Sequence, residues 1–415
     1  MGLVHGCVAD DFTGAIDLAG NLAGRGIRTV VTVGTEGAAG PFDPDVEAVV
    51  VALKTRTAPP AVAVDESTRA FRALRDAGAT QLYFKYCSTF DSTPAGNIGP
   101  VLDAALALTG GVTVAVPSFP ANGRTVRDSH LFVHDQLLGD SPMRHHPLTP
   151  MTESDVRVLL SAQGSTAVDA VHLDTVRAGA DAVRAVLDAD RGPRVVVADA
   201  VDDDDLRVLA EATAHLPLVT GGSGLALGFT SPSGASPGAE RVVDQGGHRA
   251  IVCGSASSRT REQIASAKAA GVAWRKLDPD GADPVGDLVS WARDVWVTDP
   301  EAPALVFATD SLDDLGDPDA PDRADRAALV EHLLAETLAG FVANGARRIV
   351  AAGGETSGGV VSRLGVRQLR VGQAIAPGVS WAEARTATGI DVSIALKSGN
   401  FGSVDFFTDA WEALR

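Results

Sequence analysis

The sequence predicts an α/β protein of two domains, each with a mainly parallel sheet flanked by helices. Short valine-rich runs alternate with amphipathic helical segments, which is typical of β-α-β units. The alternation stops in a Ser/Pro/Gly-rich segment, residues 230–247, and then restarts. The length of 415 residues also exceeds that of an ordinary single domain. We therefore predict domains at 1–229 and 248–415, joined by a linker at 230–247.

In the first domain, the predicted strands are Leu3–Ala9, Thr29–Val33, Glu47–Leu53, Gln81–Lys85, Val112–Val116, Val168–Leu173, Arg194–Asp199 and Leu218–Thr220. The predicted helices are Thr13–Ala23, Asp65–Asp76, Ile98–Leu108, Ala178–Leu187 and Leu206–Ala214. The last strand runs into Gly221–Ala226, which resembles a glycine-rich helix start. From Pro117 to Pro150 the rhythm is broken, and we expect an irregular functional segment or lid.

In the second domain, the predicted strands are Ala250–Cys253, Ala304–Ala308, Arg348–Ala352 and Val392–Leu396. The predicted helices are Thr260–Ala270, Ala327–Ala343 and one that opens at the glycine-rich segment 353–359. Thr260 with Gln263 three residues later predicts a capping box at the start of its helix. The acidic stretch Asp310–Asp325 is expected to be a solvated loop.

Composition excludes several classes of function. With 53 acidic against 35 basic residues, the net charge is −18, which disfavours a nucleic-acid binder. Three widely spaced cysteines fit a reducing compartment and offer no disulfide framework. The N-terminal segment has no basic region, and no apolar run approaches the length of a membrane span. We therefore expect a cytoplasmic protein.

Three loops of small residues follow strands of the second domain. They are Gly254–Ser258, with Ser255 and Ser257, Gly353–Gly359, with Gly354, Glu355 and Thr356, and Lys397–Gly402, with Gly399. Glycine amides and a helix N-terminus bind phosphate well, and ligands of open α/β sheets lie at the carboxyl ends of strands. Any one loop could be a simple turn, but together they indicate a nucleotide crevice. No GxxxxGK[ST] loop and no clean GxGxxG after a strand occurs.

Polar residues follow strands of the first domain in the same way. Asp10 and Asp11 end the first strand and could act as a base, bind a hydroxyl, hold magnesium or cap a helix. Arg56 could grip a carboxylate or lie in a solvated loop. The segment after the fourth strand places Lys85, Ser88, Asp91 and Ser92 within nine residues, which is more polar chemistry than a turn requires.

His130 and His134 are spaced like a metal pair, but no third ligand accompanies them, so a structural or substrate-contact role is preferred. Cys7, Cys87 and Cys253 lack a neighbour that would stabilise a thiolate, and we expect buried structural thiols.

At these residues the sequence resembles the four-carbon acid sugar kinase family over nearly the whole chain. The similarity to the family is carried by Ala9–Gly14, Lys85–Gly99, Gly353–Thr356 and Ser398–Gly402. Within the family, the longer strings Lys85–Pro94, Asn122–Thr125 and His146–Thr152 look most like members that act on 3-oxo-tetronate. Where relatives for unoxidised acids carry Asp-Ser-Thr-Leu-Arg-Gly, this chain has Asp91-Ser-Thr-Pro-Ala-Gly96 and lacks the arginine.

The resemblance implies a sugar-acid-binding domain, a nucleotide-binding domain and an active site in the cleft between them. It implies ATP with Mg2+ as cofactors and phosphorylation of the 4-hydroxyl of a 3-dehydro-tetronate. We hypothesise that Asp11 or Asp10 is the catalytic base. Arg56 and Lys85, with Ser88, Asp91 and Ser92, would bind the acid. ATP would lie on a group of second-domain residues: Ser255, Ser257, Gly353, Gly354, Glu355, Thr356 and Gly399.

The expected partners are the acid, ATP and a decarboxylase that consumes the phosphorylated product, with a homodimer as a candidate assembly. Magnesium ligands are not assigned. Two alternatives stay open: a kinase for D-erythronate or threonate, and a non-catalytic sugar-acid sensor. A dinucleotide oxidoreductase is the weakest option, since its fingerprint is absent.

Overall fold

The computed structural model describes residues 2–146, 148–311, 314 and 323–414. The chain forms two compact units, Met1–Glu240 and Arg241–Arg415. None of the described helices combines the length and apolar character needed to cross a membrane. Most of the acidic stretch predicted as a solvated loop lies outside the described residues.

The strands of the first unit alternate with helices along the chain. The strands are β1 (His5–Ala9), β2 (Thr29–Val33), β3 (Ala48–Ala52), β4 (Gln81–Lys85), β5 (Val112–Val116), β6 (Arg124–Arg127), β7 (His130–Val133), β8 (Gln136–Leu137), β9 (Ala167–Val171), β10 (Arg194–Ala198) and β11 (Leu218–Gly221). The helices are α1 (Phe12–Gly24), α2 (Pro60–Asp76), α3 (Ile98–Thr109), α4 (Val156–Gln163), α5 (Leu173–Arg177), α6 (Ala180–Leu187) and α7 (Asp203–Thr213).

The main sheet of this unit runs in the order β2-β3-β1-β4-β11-β5-β10-β9, and its recorded strand pairs are parallel. Val49 and Val51 face a core cluster that includes side chains of α2, α3 and α4. Val50 and Cys7 point to the opposite face and are also fully buried. Burial on both faces explains why these strands read as continuous apolar runs.

The segment predicted to be irregular, Pro117–Pro150, contains an antiparallel sheet in the order β6-β7-β8. The prediction was wrong because these strands are short and carry polar residues, so they lack the apolar run that marks a parallel strand. The prediction that a glycine-rich helix starts at Gly221–Ala226 was also wrong. β11 ends at Gly221, and only a 3-10 turn follows, at Gly224–Gly228.

The second unit has strands β12 (His248–Cys253), β13 (Ala273–Lys276), β14 (Ala304–Phe307), β15 (Ala346–Ala352), β16 (Gln368–Ala376), β17 (Val379–Arg385) and β18 (Asp391–Lys397). Its helices are α8 (Ser258–Ala269), α9 (Pro284–Thr298), α10 (Arg323–Ala343), α11 (Gly354–Arg363) and α12 (Phe406–Asp409). The strand order is β13-β14-β12-β15-β18-β17-β16. β17 is antiparallel to both neighbours, and the other recorded pairs are parallel.

Helix α8 begins earlier than the capping-box prediction placed it. Ser257 is the N-cap, and its hydroxyl accepts a hydrogen bond from the Thr260 amide at 3.2 Å. Gln263 instead donates to the carbonyls of Phe401 and Ser403 at 3.0 and 2.7 Å. The prediction was wrong because a hydroxyl three residues upstream takes the cap, and this leaves the Thr260 side chain free for another role.

Candidate active site

In the first unit, three neighbouring strands end at the same level. Ala9 of β1 pairs with Ala52 of β3 and with Lys85 of β4. Residues that directly follow these strands therefore share one edge of the sheet. This edge holds the predicted acidic and basic residues.

Asp10 and Arg56 form a two-pronged ion pair at this edge. Arg56 Nε and Nη2 donate to the two Asp10 carboxylate oxygens at 3.0 and 2.8 Å. Arg56 Nη2 also lies 2.8 Å from Asp11 Oδ1. Burial disfavours the charged guanidinium, but the two carboxylates outweigh it and raise the pKa of Arg56 well above its ordinary value. Arg56 is thus permanently cationic and locked in place.

Asp10 and Asp11 differ in whether a carboxylate oxygen remains accessible to a ligand. The Asp10 side chain is 3% exposed and both oxygens bind Arg56. The Asp11 side chain is 28% exposed, and its Oδ1 caps α1 by accepting from the Gly14 amide at 2.7 Å. Burial and the neighbouring Asp10 raise the pKa of Asp11, against the opposing effects of Arg56 and Lys85. A carboxylate that is partly exposed and more basic than usual is suited to accept a proton.

Asn97 holds the loop that carries Arg56, and sequence reasoning missed it. Its buried side-chain amide donates to the carbonyls of Thr55 and Ala58 at 2.6 and 3.0 Å. The Arg56 amide in turn donates to the Asp10 carbonyl at 3.1 Å. An Asn directly before a helix usually indicates a cap, so this longer-range role could not be recognised from the local sequence.

Lys85 lies beneath the helix that Asp11 caps. Lys85 is buried, and its ammonium donates to the Tyr86 carbonyl at 2.7 Å. Gly14 allows this approach, because a Cβ there would lie only 2.9 Å from Lys85 Nζ. Asp17, one turn further along α1, accepts from the Ser223 hydroxyl, and its other oxygen is buried without a protein partner in the described structure. Burial raises the pKa of Asp17, while the charge of Lys85 opposes that rise.

The polar segment after β4 forms a strained loop. Phe90 and Asp91 both have positive φ, at 65° and 45°. The Thr89 hydroxyl donates to Asp91 at 2.7 Å, and Ser92 accepts from Gln163 at 3.0 Å. Two consecutive non-glycine residues in this conformation cost free energy, which is typical of functional loops. Asp91 is therefore held from within the loop and Ser92 from the end of α4, while Ser88 is half-buried.

The second unit repeats the arrangement of three strand ends. Ala352 of β15 pairs with Cys253 of β12 and with Lys397 of β18. The three small-residue loops therefore start at one level. Their proximity is tight: a Cβ on Gly353 would lie 2.8 Å from Thr356 Oγ1 and 3.2 Å from the Ser255 amide. A Cβ on Gly399 would lie 2.9 Å from Ser257 Oγ.

Helix α11 begins in this cluster without a side-chain cap. Its N-cap is Gly353, with φ of 126°, a conformation that favours glycine. In the described part of the chain, the amides of Gly354, Glu355 and Thr356 have no protein acceptor. Glu355 is exposed and Thr356 is buried. An uncapped N-terminus of a ten-residue helix offers these amides and its dipole to an anion.

The Gly399 carbonyl is held by side chains from two elements. Ser257 Oγ and Thr260 Oγ1 donate to it at 2.7 and 2.8 Å. Lys397 Nζ donates to it at 3.1 Å. Ser255 Oγ accepts from the Ser257 amide at 3.3 Å, which links the first loop to the same cluster. Ser257 and Gly399 were predicted for the nucleotide site, whereas Lys397 was predicted only as the start of its loop and Thr260 only as a helix cap.

His130 lies in β7 and its Nδ1 is 2.8 Å from the Asp128 carbonyl, while His134 follows the strand with φ of 53°. The prediction of buried thiols is confirmed for Cys7 and Cys253, but it was wrong for Cys87, which is half-buried in the polar loop after β4. Burial raises the pKa of Cys87 to about 11 and that of Cys253 to about 12, so both thiols are protonated at neutral pH. Cys7 is also a buried free thiol with a raised pKa.

A two-unit α/β fold with a carboxylate-rich strand edge in one unit and uncapped helix amides in the other is the arrangement expected of a kinase that acts on a sugar acid. Residues 5–229 match the model of a sugar-binding N-terminal domain, and residues 250–407 match that of a nucleotide-binding C-terminal domain.

The chain is 47% identical to a 3-oxo-tetronate kinase of Burkholderia multivorans, covering 99% of this chain and 97% of the relative. It is 45% identical to a 3-oxo-tetronate kinase of Cupriavidus necator, covering 99% and 96%. Its fold is similar to a crystal structure of the Haemophilus influenzae protein HI1011, with a TM-score of 0.83, 36% identity and coverage of 99% and 100%. The chain belongs to the four-carbon acid sugar kinase family.

Proposed function

We propose that this protein transfers the γ-phosphoryl group of ATP to the 4-hydroxyl of a 3-dehydro-tetronate, giving a 3-dehydro-4-phosphotetronate and ADP. The observation that carries the proposal is the 47% identity to a 3-oxo-tetronate kinase over 99% of the chain. The geometry of the two sites supports it, because one presents a proton acceptor and the other presents amides that suit phosphate.

Asp11 is the proposed catalytic base. It accepts the proton of the 4-hydroxyl as that oxygen attacks the γ-phosphorus and ADP leaves. Its partial exposure and raised pKa favour it over Asp10, which is buried and fully engaged by Arg56. Asp10 then has a positioning role, because it fixes the guanidinium.

Arg56 and Lys85 are the proposed carboxylate ligands. Arg56 Nε and Nη2 are occupied by the aspartates, and in the described structure Nη1 has no protein acceptor. The Arg56 side chain is 24% exposed, so this nitrogen can meet a substrate carboxylate. Lys85 adds positive charge beneath the site. Ser88, Asp91 and Ser92 are proposed to contact the hydroxyls of the acid from their strained loop.

The nucleotide site is proposed to use backbone more than side chains. The amides at the start of α11, Gly354 to Thr356, bind phosphate oxygens, and Gly353 and Gly399 permit the close packing of the loops. Ser255 and Ser257 line the neighbouring loop. Mg2+ is proposed as the companion of ATP, where it neutralises phosphate charge, and the exposed Glu355 is the carboxylate beside these amides that could hold it.

The acceptor preference is proposed from the segment Asp91–Gly96. It lacks the arginine found in relatives that act on unoxidised acids, so a 3-oxo acid is favoured over erythronate or threonate. The product is a 3-oxo carboxylate, which loses carbon dioxide readily, so a decarboxylase is the expected next enzyme.

The buried free thiols Cys7 and Cys253 fit a reducing cytoplasm, where ATP is available. We also propose that the protein forms a homodimer, which a measurement of its mass in solution would test.

The test is coupled ADP release with Mg-ATP against D- and L-erythronate, D- and L-threonate and their 3-dehydro derivatives. Activity confined to a 3-dehydro acid supports the proposal and fixes the stereochemistry. Activity with an unoxidised acid would keep the kinase and reject the proposed acceptor. Nucleotide binding with no turnover on any acid would favour a sensor.

A further inference from the structure

Lys397 is a buried cation among the glycine loops of the second unit. We propose that Lys397 is a positioning residue of the nucleotide site, which orients the amides of Gly399 and Asn400 toward phosphate and whose charge is balanced only when nucleotide is bound. The inference rests on the proposed use of ATP. It adds Lys397 to the residues that shape the nucleotide site, and it predicts that nucleotide binding is coupled to the uptake of a proton.

The ammonium makes its hydrogen bonds to neutral oxygens. Lys397 Nζ donates to the Ser398 carbonyl at 2.9 Å, the Gly399 carbonyl at 3.1 Å and Thr260 Oγ1 at 3.3 Å. These three bonds use all three donors of a protonated amine. The side chain is 1% exposed, so the bonds are shielded from water.

These bonds set the direction of two peptide groups. The N–H of a trans peptide points opposite to its carbonyl. Because the carbonyls of Ser398 and Gly399 both point at Lys397, the amides of Gly399 and Asn400 both point away from it. Neither amide has a protein acceptor within the described residues, and Asn400 is exposed. Two adjacent free amides facing one direction form an anion-binding arrangement.

The charge of Lys397 has no acidic partner in the described structure. No carboxylate is among its hydrogen-bond partners or the groups that shift its titration. Lys268 provides the contrast within the same unit, because its Nζ lies 2.5 Å from Asp310 Oδ2. A buried cation without a counterion is costly, and the cost is recovered if an anionic ligand supplies the counter-charge.

The groups around Lys397 leave the amine free to titrate. Cys253 of β12 is a neutral thiol, Arg259 of α8 repels the ammonium, and the Phe406 ring of α12 lies 6.0 Å from Nζ. Burial, with the repulsion from Arg259, lowers the pKa of Lys397 to about 8. A bound phosphate would raise that pKa again, so nucleotide binding near this pH should take up a proton.

The experiment is isothermal titration calorimetry of the full-length protein with Mg-ADP at pH 8, in two buffers of different ionisation enthalpy. We expect the wild type to take up about half a proton per nucleotide, because the free lysine is about half neutral at this pH. Lys397→Met should show no uptake and a Kd weaker by roughly tenfold or more. Thr260→Val keeps the lysine and should retain the uptake with a smaller loss of affinity. Lys268→Met is the matched control, with wild-type uptake and Kd.

Binding without proton uptake in the wild type would overturn the inference while leaving the kinase function intact. A wild-type Kd for Mg-ADP together with wild-type proton uptake in Lys397→Met would also overturn the inference and leave the kinase function intact. Failure of the wild type to bind Mg-ADP would overturn both this inference and the proposed function. The wild-type buffer comparison needs no variant, so the test holds even if Lys397→Met does not fold.

Discussion

The two units place a buried lysine in the same position and treat its charge differently. Lys85 and Lys397 are each the last residue of a central strand, and each donates to the carbonyl of the next residue. Lys85 lies near Asp11, which caps α1, and near Asp17 within α1, and its charge opposes the rise in the pKa of both. Within the described residues, the hydrogen bonds of Lys397 go to neutral oxygens. The first unit thus places carboxyl groups beside its buried lysine, whereas we propose that in the second unit a bound ligand supplies the counter-charge of Lys397.

This difference matches the chemistry proposed for each site. The acceptor hydroxyl must lose a proton, so the first site needs carboxylates and the cations that orient them. The nucleotide arrives already charged, so the second site needs donors that point at phosphate. Four predictions test the comparison, in order of decreasing effect.

Asp11→Asn should lower kcat by about 10²- to 10⁴-fold, since an amide cannot accept the hydroxyl proton. The amide oxygen can still cap α1 through the Gly14 amide, so the fold should be retained. The measurement is steady-state ADP release with the acid that the panel identifies. Near-normal turnover would reject Asp11 as the base.

Arg56→Ala should raise the KM of the acid by roughly 100-fold and that of ATP by less than about threefold, because the variant loses a side chain that binds the carboxylate of the acid. It also leaves Asp10 buried without its partner, so the thermal midpoint should fall. Arg56→Lys is the control, since it keeps the charge but not the two-pronged geometry. Equal increases in both KM values would argue against a carboxylate ligand.

Gly353→Ala should raise the KM of ATP by roughly tenfold or more and leave the KM of the acid unchanged. The cause is a φ of 126° and a Cβ that would press on Thr356 and the Ser255 amide. Gly358→Ala is the matched control in the same helix, because a Cβ there meets nothing within 4 Å. The control should keep both KM values and be slightly more stable.

Asp17→Asn should make thermal stability less dependent on pH. Burial raises the pKa of Asp17 above the ordinary value of 3.8, so the folded state holds a proton that the unfolded state releases. Stability from this group is full below about pH 4 and is lost as pH rises through the raised pKa. The variant should therefore gain about 2–4 °C over the wild type as the pH rises from about 4 through the raised pKa of Asp17. A constant difference across that range would contradict the buried-carboxyl account.

Much of the parallel framework could be predicted from the sequence, because strands buried on both faces are continuous apolar runs. β2, β4 and β5 have the predicted bounds. β16 and β17 were not predicted, since antiparallel strands with exposed positions interrupt their apolar residues. The short β13 is mostly exposed and charged, so it also lacks a sequence signal.

The sequence predicts which kinds of residue form the sites, but it does not predict which residues contact one another there. The pair Asp10 and Asp11 was evident, yet their different exposure depends on the distant Arg56 loop that Asn97 holds. Lys397 is one of only five lysines in the chain, which is a weak signal. Its lack of an acidic partner depends on which side chains α8 and β12 bring to it, and local sequence does not encode that.

The most direct test of the division between the two units measures the binding of both ligands to two variants. Titration calorimetry would give the Kd of Mg-ADP and of the acid for Asp11→Asn and for Gly353→Ala. The account predicts that Asp11→Asn keeps the wild-type Kd of Mg-ADP, while Gly353→Ala loses nucleotide affinity and keeps the wild-type Kd of the acid. Loss of nucleotide affinity in Asp11→Asn, or equal loss of both affinities in Gly353→Ala, would contradict it.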